Sequence, residues 1–485
     1  FQLFAQRHGG DDPQYFILFD LMVDSVKSGK MQEQEWRAKL GKRGEARHYR
    51  VLKHYLFARL LEALSEFHAA NDPIEQIKGG LHQTSLLIKR GLPKAAATHL
   101  KKQQKKIQKF EAWEQLPESI LLQRQLLDQR YYSGEDLSIA QIKQSIQKAL
   151  EQLQAHYEIW GLTASLALQH YRQSTDAKTA FEELCQRLKS IEQPVHYRDL
   201  FLWHRAHAVM AFTNGNPEAA ILHNKSLLNL LEENPSWKKS RAAIYLSVLT
   251  NYLIDCFRLK REEEISAGIL KMRSMDRQPE FRKLKNLDNH VFRFSYMMEL
   301  NQAVRSGSVN NIDKIGPKIK QGLALHRDNI ALHHQLTLQY LMAYLLFINS
   351  QHRESLDWLE LFFRLNDKEQ IQELQLAAAV LEIMNHIEMG NSDLLEGLIR
   401  SIRKRFKISK KKRPQIFQLL NHLMTFPEYI SKKDQEKKME AFLRFLIENN
   451  SNSDLAKSCN YFNFSAWLNA KKKSIPIYKE IQEGY

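Results

Sequence analysis

The sequence predicts an all-α protein in which antiparallel helix pairs stack into a superhelical solenoid, and three observations predict it. Apolar residues recur with a helical period along almost the whole chain, and strand-like alternation is nearly absent. Gly (18) and Pro (12) are sparse for 485 residues, so turns are few and helices long. The breaks fall on a beat: Gly91, Gly134, Ser174, Gly215, Lys260, Gly307, Ser350 and Gly390 are 40 to 47 residues apart. A period of this size marks stacked helix-turn-helix units that bury their apolar faces on one another.

Taken in order, residues 1–70 form an N-terminal helical module. There Val51, Tyr55, Phe57, Ala58, Leu61, Leu64 and Phe67 fall near helical spacing over one long helix. Residues 71–413 carry the repeats. Asp72-Pro73, Leu92-Pro93 and Asn216-Pro217 place proline in the first turn of a helix, where its missing N–H costs nothing. Residues 414–485 form a C-terminal helical cap, with Leu419, Leu420, Leu423, Phe442, Leu443, Phe445 and Leu446 as its apolar surface.

The composition bounds the function. The three cysteines, Cys185, Cys256 and Cys459, are far apart and odd in number, which fits a reducing, cytoplasmic setting rather than a disulfide framework. No apolar run approaches the ~20 residues of a membrane span. The chain opens on Phe1 rather than Met, and a natural start upstream is expected. The net charge of +16 is local: Lys94–Lys109, Arg400–Arg413 and Lys471–Lys473 hold six, nine and three Lys/Arg with no acid, which exceeds the charge of the whole chain.

No phosphate-binding glycine loop, nucleophile elbow or His-Glu-x-x-His helix is present. His204 with His207 and His333 with His334 are pairs without a third ligand nearby, so no metal is expected. Cys185 and Cys256 sit among helical apolar positions and read as buried thiols. Asp11-Asp12 and Glu262-Glu263-Glu264 read as helix-start acids. No catalytic residue, cofactor or enzyme activity is expected.

Two basic runs are candidates for polyanion binding. Lys101, Lys102, Lys105, Lys106 and Lys109 occupy one helix, and Arg400, Arg403, Lys404, Arg405, Lys407, Lys410, Lys411, Lys412 and Arg413 the other. Nucleic acid would be held there through its phosphates, with affinity set by counterion release.

The stretch "AHAVMAFTNGNPEAAILHNKSLLNLLEENP" places Ala208 seven residues before Gly215 and Ala220 five after it, and Ala343 and Ser355 flank Ser350 in the same way. This arrangement resembles the tetratricopeptide (TPR) repeat; around Gly390 it departs, with Ile383 and Leu395 at those positions. The chain also resembles a family of TPR-like bacterial proteins through "FQLFAQRHGGDDPQYFILFDLM", "GLPKAAATHLKKQQKKIQKFE", "EMGNSDLLEGLIRSIRKRF" and "FSAWLNAKKKSI". The resemblance implies a non-catalytic scaffold or adaptor that binds a protein or peptide along its helix-A surface. Ten residues before successive turns stand Arg205, Thr250, Met297, Tyr340 and Val380. One cation among five does not make the carboxylate clamp of chaperone-tail binders. A mixed groove of Arg205, Tyr252, Tyr296 and Tyr340 is the alternative, though such rings commonly belong to repeat core.

Overall fold

The computed structural model describes residues 13–28, 33–41, 49–131, 139–170, 175–282, 284, 286–308, 312–365, 372–426, 432–449, 455 and 461–484. Every regular element among them is helical. The chain divides into two compact units, Phe1–Ala206 and His207–Tyr485, within one helix. Of the points at which the sequence suggested divisions, 70/71 lies inside the first unit and 413/414 inside the second.

In the first unit, α1 (Pro13–Ser28), α2 (Glu33–Gly41) and α3 (Tyr49–Asn71) share a small core of Tyr15, Leu18, Trp36, Leu40, Tyr49, Leu52 and Leu56. α3 is the long helix the spacing predicts, but most of its expected apolar residues face outward. Phe57, Leu61 and Leu64, at i, i+4 and i+7, are 59%, 50% and 52% exposed. The periodicity identifies the helix correctly. Which side is covered depends on α1, which packs beside Leu52 and Leu56 instead.

α4 (Pro73–Lys89), α5 (Pro93–Phe110) and α6 (Leu116–Tyr131) follow, packed around Ile77, Leu81, Leu100, Ile107 and Trp113. The Asp72 carboxylate accepts from Ile74 N at 2.8 Å, satisfying an orphan N–H at the start of α4. The long helix α7 (Ile139–His170) and the shorter α8 (Thr175–Lys189) pack on each other before α9 (Tyr197–Thr213).

The second unit runs through α10 (Pro217–Glu233), α11 (Pro235–Ser240), α12 (Ala242–Arg258), α13 (Glu262–Arg273), α14 (Leu287–Ser306), α15 (Ile312–Leu325), α16 (Leu332–Ile348), α17 (His352–Arg364), α18 (Gln372–Glu388) and α19 (Ser392–Arg405). Alternate helices α12, α14, α16 and α18 pack on one another in succession.

Six of the eight predicted breaks are left-handed: Gly91, Gly215, Lys260, Gly307, Ser350 and Gly390 all have φ between 54° and 73°. Gly134 and Ser174 lie outside the described residues. The flanking hydrogen bonds are those of the Schellman turn. Gly215 N donates to Phe212 O (3.1 Å) and Asn216 N to Ala211 O (2.9 Å); Ser350 N and Gln351 N do the same to Phe347 O and Leu346 O, both 2.9 Å. The beat read from sequence is therefore a series of helix C-caps.

The small residues beside those turns are buried, and one pair touches. Ser355 Oγ donates to Ala343 O at 2.8 Å, joining α16 to α17. Asn385 Nδ2 then donates to Ser355 Oγ at 2.9 Å, joining α17 to α18. A similar polar tie links α10 to α12, where Asn224 Nδ2 donates to Asp255 Oδ2 at 2.6 Å.

Asp255 is fully buried, and its Oδ1 has no hydrogen-bond partner. Burial raises its pKa above the usual carboxylate value, against the hydrogen bond from Asn224 and the charge of Arg258. A raised folded-state pKa means this group's contribution to stability is fully present below the unfolded value and is lost as pH rises through the folded one. Asp255→Asn removes the buried charge. It should stabilise the second unit by about 1–2 kcal/mol at pH 7 and converge with the parent near pH 4, as urea melts at the two pH values would show.

Beyond α19 lie α20 (Pro414–Met424), α21 (Lys432–Glu448), α22 (Phe464–Lys473) and α23 (Ile477–Gly484). They share one continuous core with α14 through α19, from Phe292 to Ile481. The C-terminal segment returns to helices far earlier in the chain. Tyr340 OH donates to Tyr461 O (2.7 Å), Asn463 N donates to Tyr344 OH (2.8 Å), Trp467 Nε1 donates to Glu388 Oε1 (2.6 Å), and Gln482 Nε2 donates to Gly307 O (3.0 Å).

Candidate functional site

Arg205 is exposed and belongs to the first unit, whereas Tyr252, Tyr296 and Tyr340 belong to the second. Tyr252 packs beside Cys256, Ile265 and Ile269, and its hydroxyl is pushed up to about 12, chiefly by burial. The Tyr296 ring lies against Phe292 and under the Arg273 guanidinium, 4.4 Å from the ring centre. Tyr340 is buried beneath the C-terminal segment. An external peptide would reach it only after that segment left.

The two long basic runs are treated differently by the fold. In α5, Lys101, Lys102, Lys105 and Lys109 are exposed and Lys106 is half-buried, while Gln103 and Ile107 face inward. None of the five lysines has an ion-pair partner among the described residues. In the 400–413 run, four of the nine cations have a polar partner within the fold. Arg400 pairs with Glu396 (2.5 Å), and Arg403 donates to Asn421 (2.6 Å) over the Phe417 ring. Arg405 donates to Gln375 (3.4 Å), and Arg413 pairs with Glu373 (3.4 Å). Lys404, Lys407, Lys410, Lys411 and Lys412 remain exposed. The short run is paired throughout: Lys471 with Glu388, Lys472 with Glu440 and Lys473 with Glu480.

Of the histidine pairs read from sequence, His333 and His334 lie with ring centres 3.7 Å apart, whereas His204 and His207 take separate neighbours. His207 stacks on His223 (4.9 Å) and His204 lies against Trp203 (5.1 Å). Among the described residues, no group of three or more His, Cys, Asp or Glu is placed to hold a metal. Cys185 and Cys256 are buried and their thiols are held above their ordinary value by burial, Cys256 at about 11. Both are neutral at physiological pH and poor nucleophiles. Glu262–Glu264 form the acidic first turn of α13, and Glu262 also receives the Arg305 guanidinium. Asp11, Asp12 and Cys459 lie outside the described residues.

A polar network that the sequence did not signal closes the first unit. The Glu111 carboxylate accepts from the first backbone N–H groups of α9, Tyr197 N (2.7 Å) and Arg198 N (2.5 Å). The Arg198 guanidinium donates to Glu111 O (2.6 Å) and to Glu114 (2.5 Å). Beside it, buried His156 and Asp199 meet at 2.5 Å, with Gln152 donating to the second Asp199 oxygen at 3.0 Å. Glu114 lies 3.8 Å from the other His156 nitrogen. One imidazole nitrogen meets the buried Asp199 carboxylate and the other faces Glu114, which is exposed, so the cluster clasps helix ends.

A pocket with several polar lining residues lies between α12 and α14. It has a volume of about 330 Å³ and is lined by Ser247 and Thr250 from α12 and by Asn289, His290 and Arg293 from α14. A neighbouring pocket of about 410 Å³ shares Leu284, Asn286, Leu287 and Asn289 and adds Asp276, Arg282, Asp288 and His326. Asn286 is left-handed, with φ 62°, and starts α14. Helical spacing then sets Asn286, His290 and Arg293 on one side of α14, toward α12.

Hydrogen bonding defines the state of the pocket. Thr250 Oγ1 donates to Leu246 O at 2.8 Å, so it accepts from His290 Nε2 at 3.1 Å. His290 is held below its usual value by burial and then by Arg293. His334, on α16, is held down to about 4 by burial and then by Arg293, His333 and His290. Thr250 stands at a position that the ten-residue count identified; the cations around it are invisible to that count. No helix among the described residues is long and apolar enough to cross a membrane. Comparison with protein-family models, with curated proteins and with solved structures returns no match.

Proposed function

We propose that this protein is a non-catalytic scaffold or adaptor, a TPR-like solenoid that binds a protein or peptide partner. The observation that carries the reading is the apolar stripe Phe57-Leu61-Leu64 on α3, at least half exposed at each position. A helix face of this kind is the common mark of an association surface. The Schellman-capped helix pairs of the second unit and the succession of α12, α14, α16 and α18 support the solenoid part of the reading. Capture from native lysate with the full chain tests it. A reproducible partner that is lost with Leu61→Arg supports the reading, and recovery of no protein partner overturns it.

One observation favours a second reading, polyanion binding, through the α5 face alone. Its five lysines have no counter-charge among the described residues, unlike Arg400 and Arg413 of the 400–413 run. Reversing Lys102, Lys105 and Lys109 to Glu should abolish any low-salt binding of duplex or single-stranded nucleic acid, and the parent's affinity should fall steeply with salt. A gel shift that is absent in the parent at low salt removes this reading.

A further inference from the structure

The pocket between α12 and α14 is electrostatically incomplete. Arg293 is half-buried, and desolvation alone lowers its pKa, with no carboxylate in compensation. It has no ion-pair partner among the described residues. His290 and His334 are close enough to Arg293 to be driven toward their neutral forms. Two basic side chains of α14, His290 and Arg293, therefore line one pocket that has no carboxylate in its lining among the described residues, and His334 of α16 is near enough to feel the Arg293 charge. Two other half-buried arginines of this unit do have a carboxylate partner: Arg273 has Glu299 (2.5 Å), and Arg305 has Glu262. Asp276 and Asp288 line the adjoining pocket together with Arg282.

The same site also holds an orphaned acceptor. Asn289 Nδ2 donates to Asn329 O at 2.6 Å, which leaves its buried Oδ1 without a donor. Asn289 lines both pockets. A ligand that completes the site must bring a negative group to Arg293 and an N–H group to Asn289 Oδ1. An acidic peptide offers both, a side-chain carboxylate and a backbone amide within a few ångströms of each other. Inorganic phosphate or a simple carboxylate would satisfy Arg293 alone.

We propose that the pocket formed by Ser247, Thr250, Asn289, His290 and Arg293, with His334 beside it, binds a glutamate- or aspartate-containing peptide segment, whose carboxylate pairs with Arg293 and whose backbone N–H is received by Asn289. This deepens the adaptor reading and rests on it. The carboxylate supplies the missing counter-charge, so His290 and His334 take up protons more readily when the peptide is bound. His290 already donates through Nε2 to Thr250, which leaves its Nδ1 to gain the proton.

The test uses the full chain with ¹³C-labelled histidine and two probes, the capped peptide Gly-Glu-Glu-Glu-Gly and its Gln counterpart, at low ionic strength. Binding is followed by calorimetry, and the His290 and His334 resonances are assigned by their loss in His290→Asn and His334→Asn. The Glu peptide is expected to move both resonances toward imidazolium and the Gln peptide to leave them in place. Arg293→Met, checked for an unchanged melting temperature, is expected to weaken binding at least about tenfold. Asn289→Ala should weaken it less.

Absence of binding by the Glu peptide up to about 1 mM, a range in which single charge-assisted contacts still register, overturns the proposal. Equal binding of the two peptides does so too, as does binding that survives Arg293→Met. A response to inorganic phosphate without one to the Glu peptide leaves only an anion site and also overturns it. Partner capture separates the two levels. A partner retained by Arg293→Met alongside failed peptide binding defeats the pocket assignment and leaves the adaptor reading standing, whereas recovery of no partner defeats the adaptor reading itself.

Discussion

Replacing Trp467 by alanine is expected to destabilise the second unit by about 3–5 kcal/mol, the cost of emptying a large, well-packed aromatic site. The side chain is fully buried in the core that runs from α14 to α23, with the Phe426 ring 4.6 Å away. Its indole N–H is held by Glu388 at 2.6 Å, and Glu388 keeps a second partner, Lys471, at 2.8 Å. Truncation therefore leaves a cavity but does not strand the carboxylate. Trp467→Phe should cost less, about 1–2 kcal/mol, because much of the apolar volume is kept and a charge-assisted hydrogen bond is lost. The two units need not unfold together, so a single melt is a poor ruler. Hydrogen exchange in α16, α18 and α22 reads the effect directly. Unchanged protection there in Trp467→Ala would show that the C-terminal helices add little to this core.

Gly307→Ala should be the more damaging of two substitutions that look equivalent in the sequence. Gly307 and Gly390 both end a helix in the left-handed region, with φ of 64° and 73°. At Gly390 an added Cβ meets nothing within 4 Å. The cost is then the left-handed penalty of a residue with a side chain, about 1–2 kcal/mol. At Gly307 the Cβ would stand 2.5 Å from the Tyr478 carbonyl oxygen and 3.3 Å from Ile481 Cβ. The same penalty applies, and α23 must also move, adding about 1–3 kcal/mol of overpacking. Gln482 would then lose its hydrogen bond to the Gly307 carbonyl. Exchange protection in Ile477–Gly484 should fall in Gly307→Ala and stay unchanged in Gly390→Ala. Equal behaviour of the two variants would contradict the docking of α23 on the end of α14.

This pair of glycines shows how far the chain can be read without its structure. Local chemistry determines the helices and where they stop. The turn residues end helices at Gly91, Gly215, Lys260, Gly307, Ser350 and Gly390 because a left-handed C-cap satisfies carbonyls that the helix cannot. Asp72 and Asn216 begin helices for the complementary reason, by accepting from first-turn N–H groups. These are interactions between residues a few positions apart, so their pattern is written in the order of the residues. The small pair Ala343 and Ser355 was legible too, since its two members flank a single turn.

Tertiary structure alone decided the rest. No spacing links Tyr461 to Tyr340 or Gln482 to Gly307, 121 and 175 residues apart, yet the first of these contacts covers Tyr340, one ring of the groove that sequence suggested. The stripe on α3 has the right period for a helix, but its exposure follows from which neighbour packs on which side. The basic runs look alike in composition. Folding brings Glu373 and Asn421 to arginines of one run, while among the described residues it brings no carboxylate to the lysines of the other. The Arg293 pocket has the same origin. Charge and helical period are properties of the chain, whereas the absence of a counter-charge is a property of the space around a side chain, and that space exists only once α12, α14 and α16 have packed.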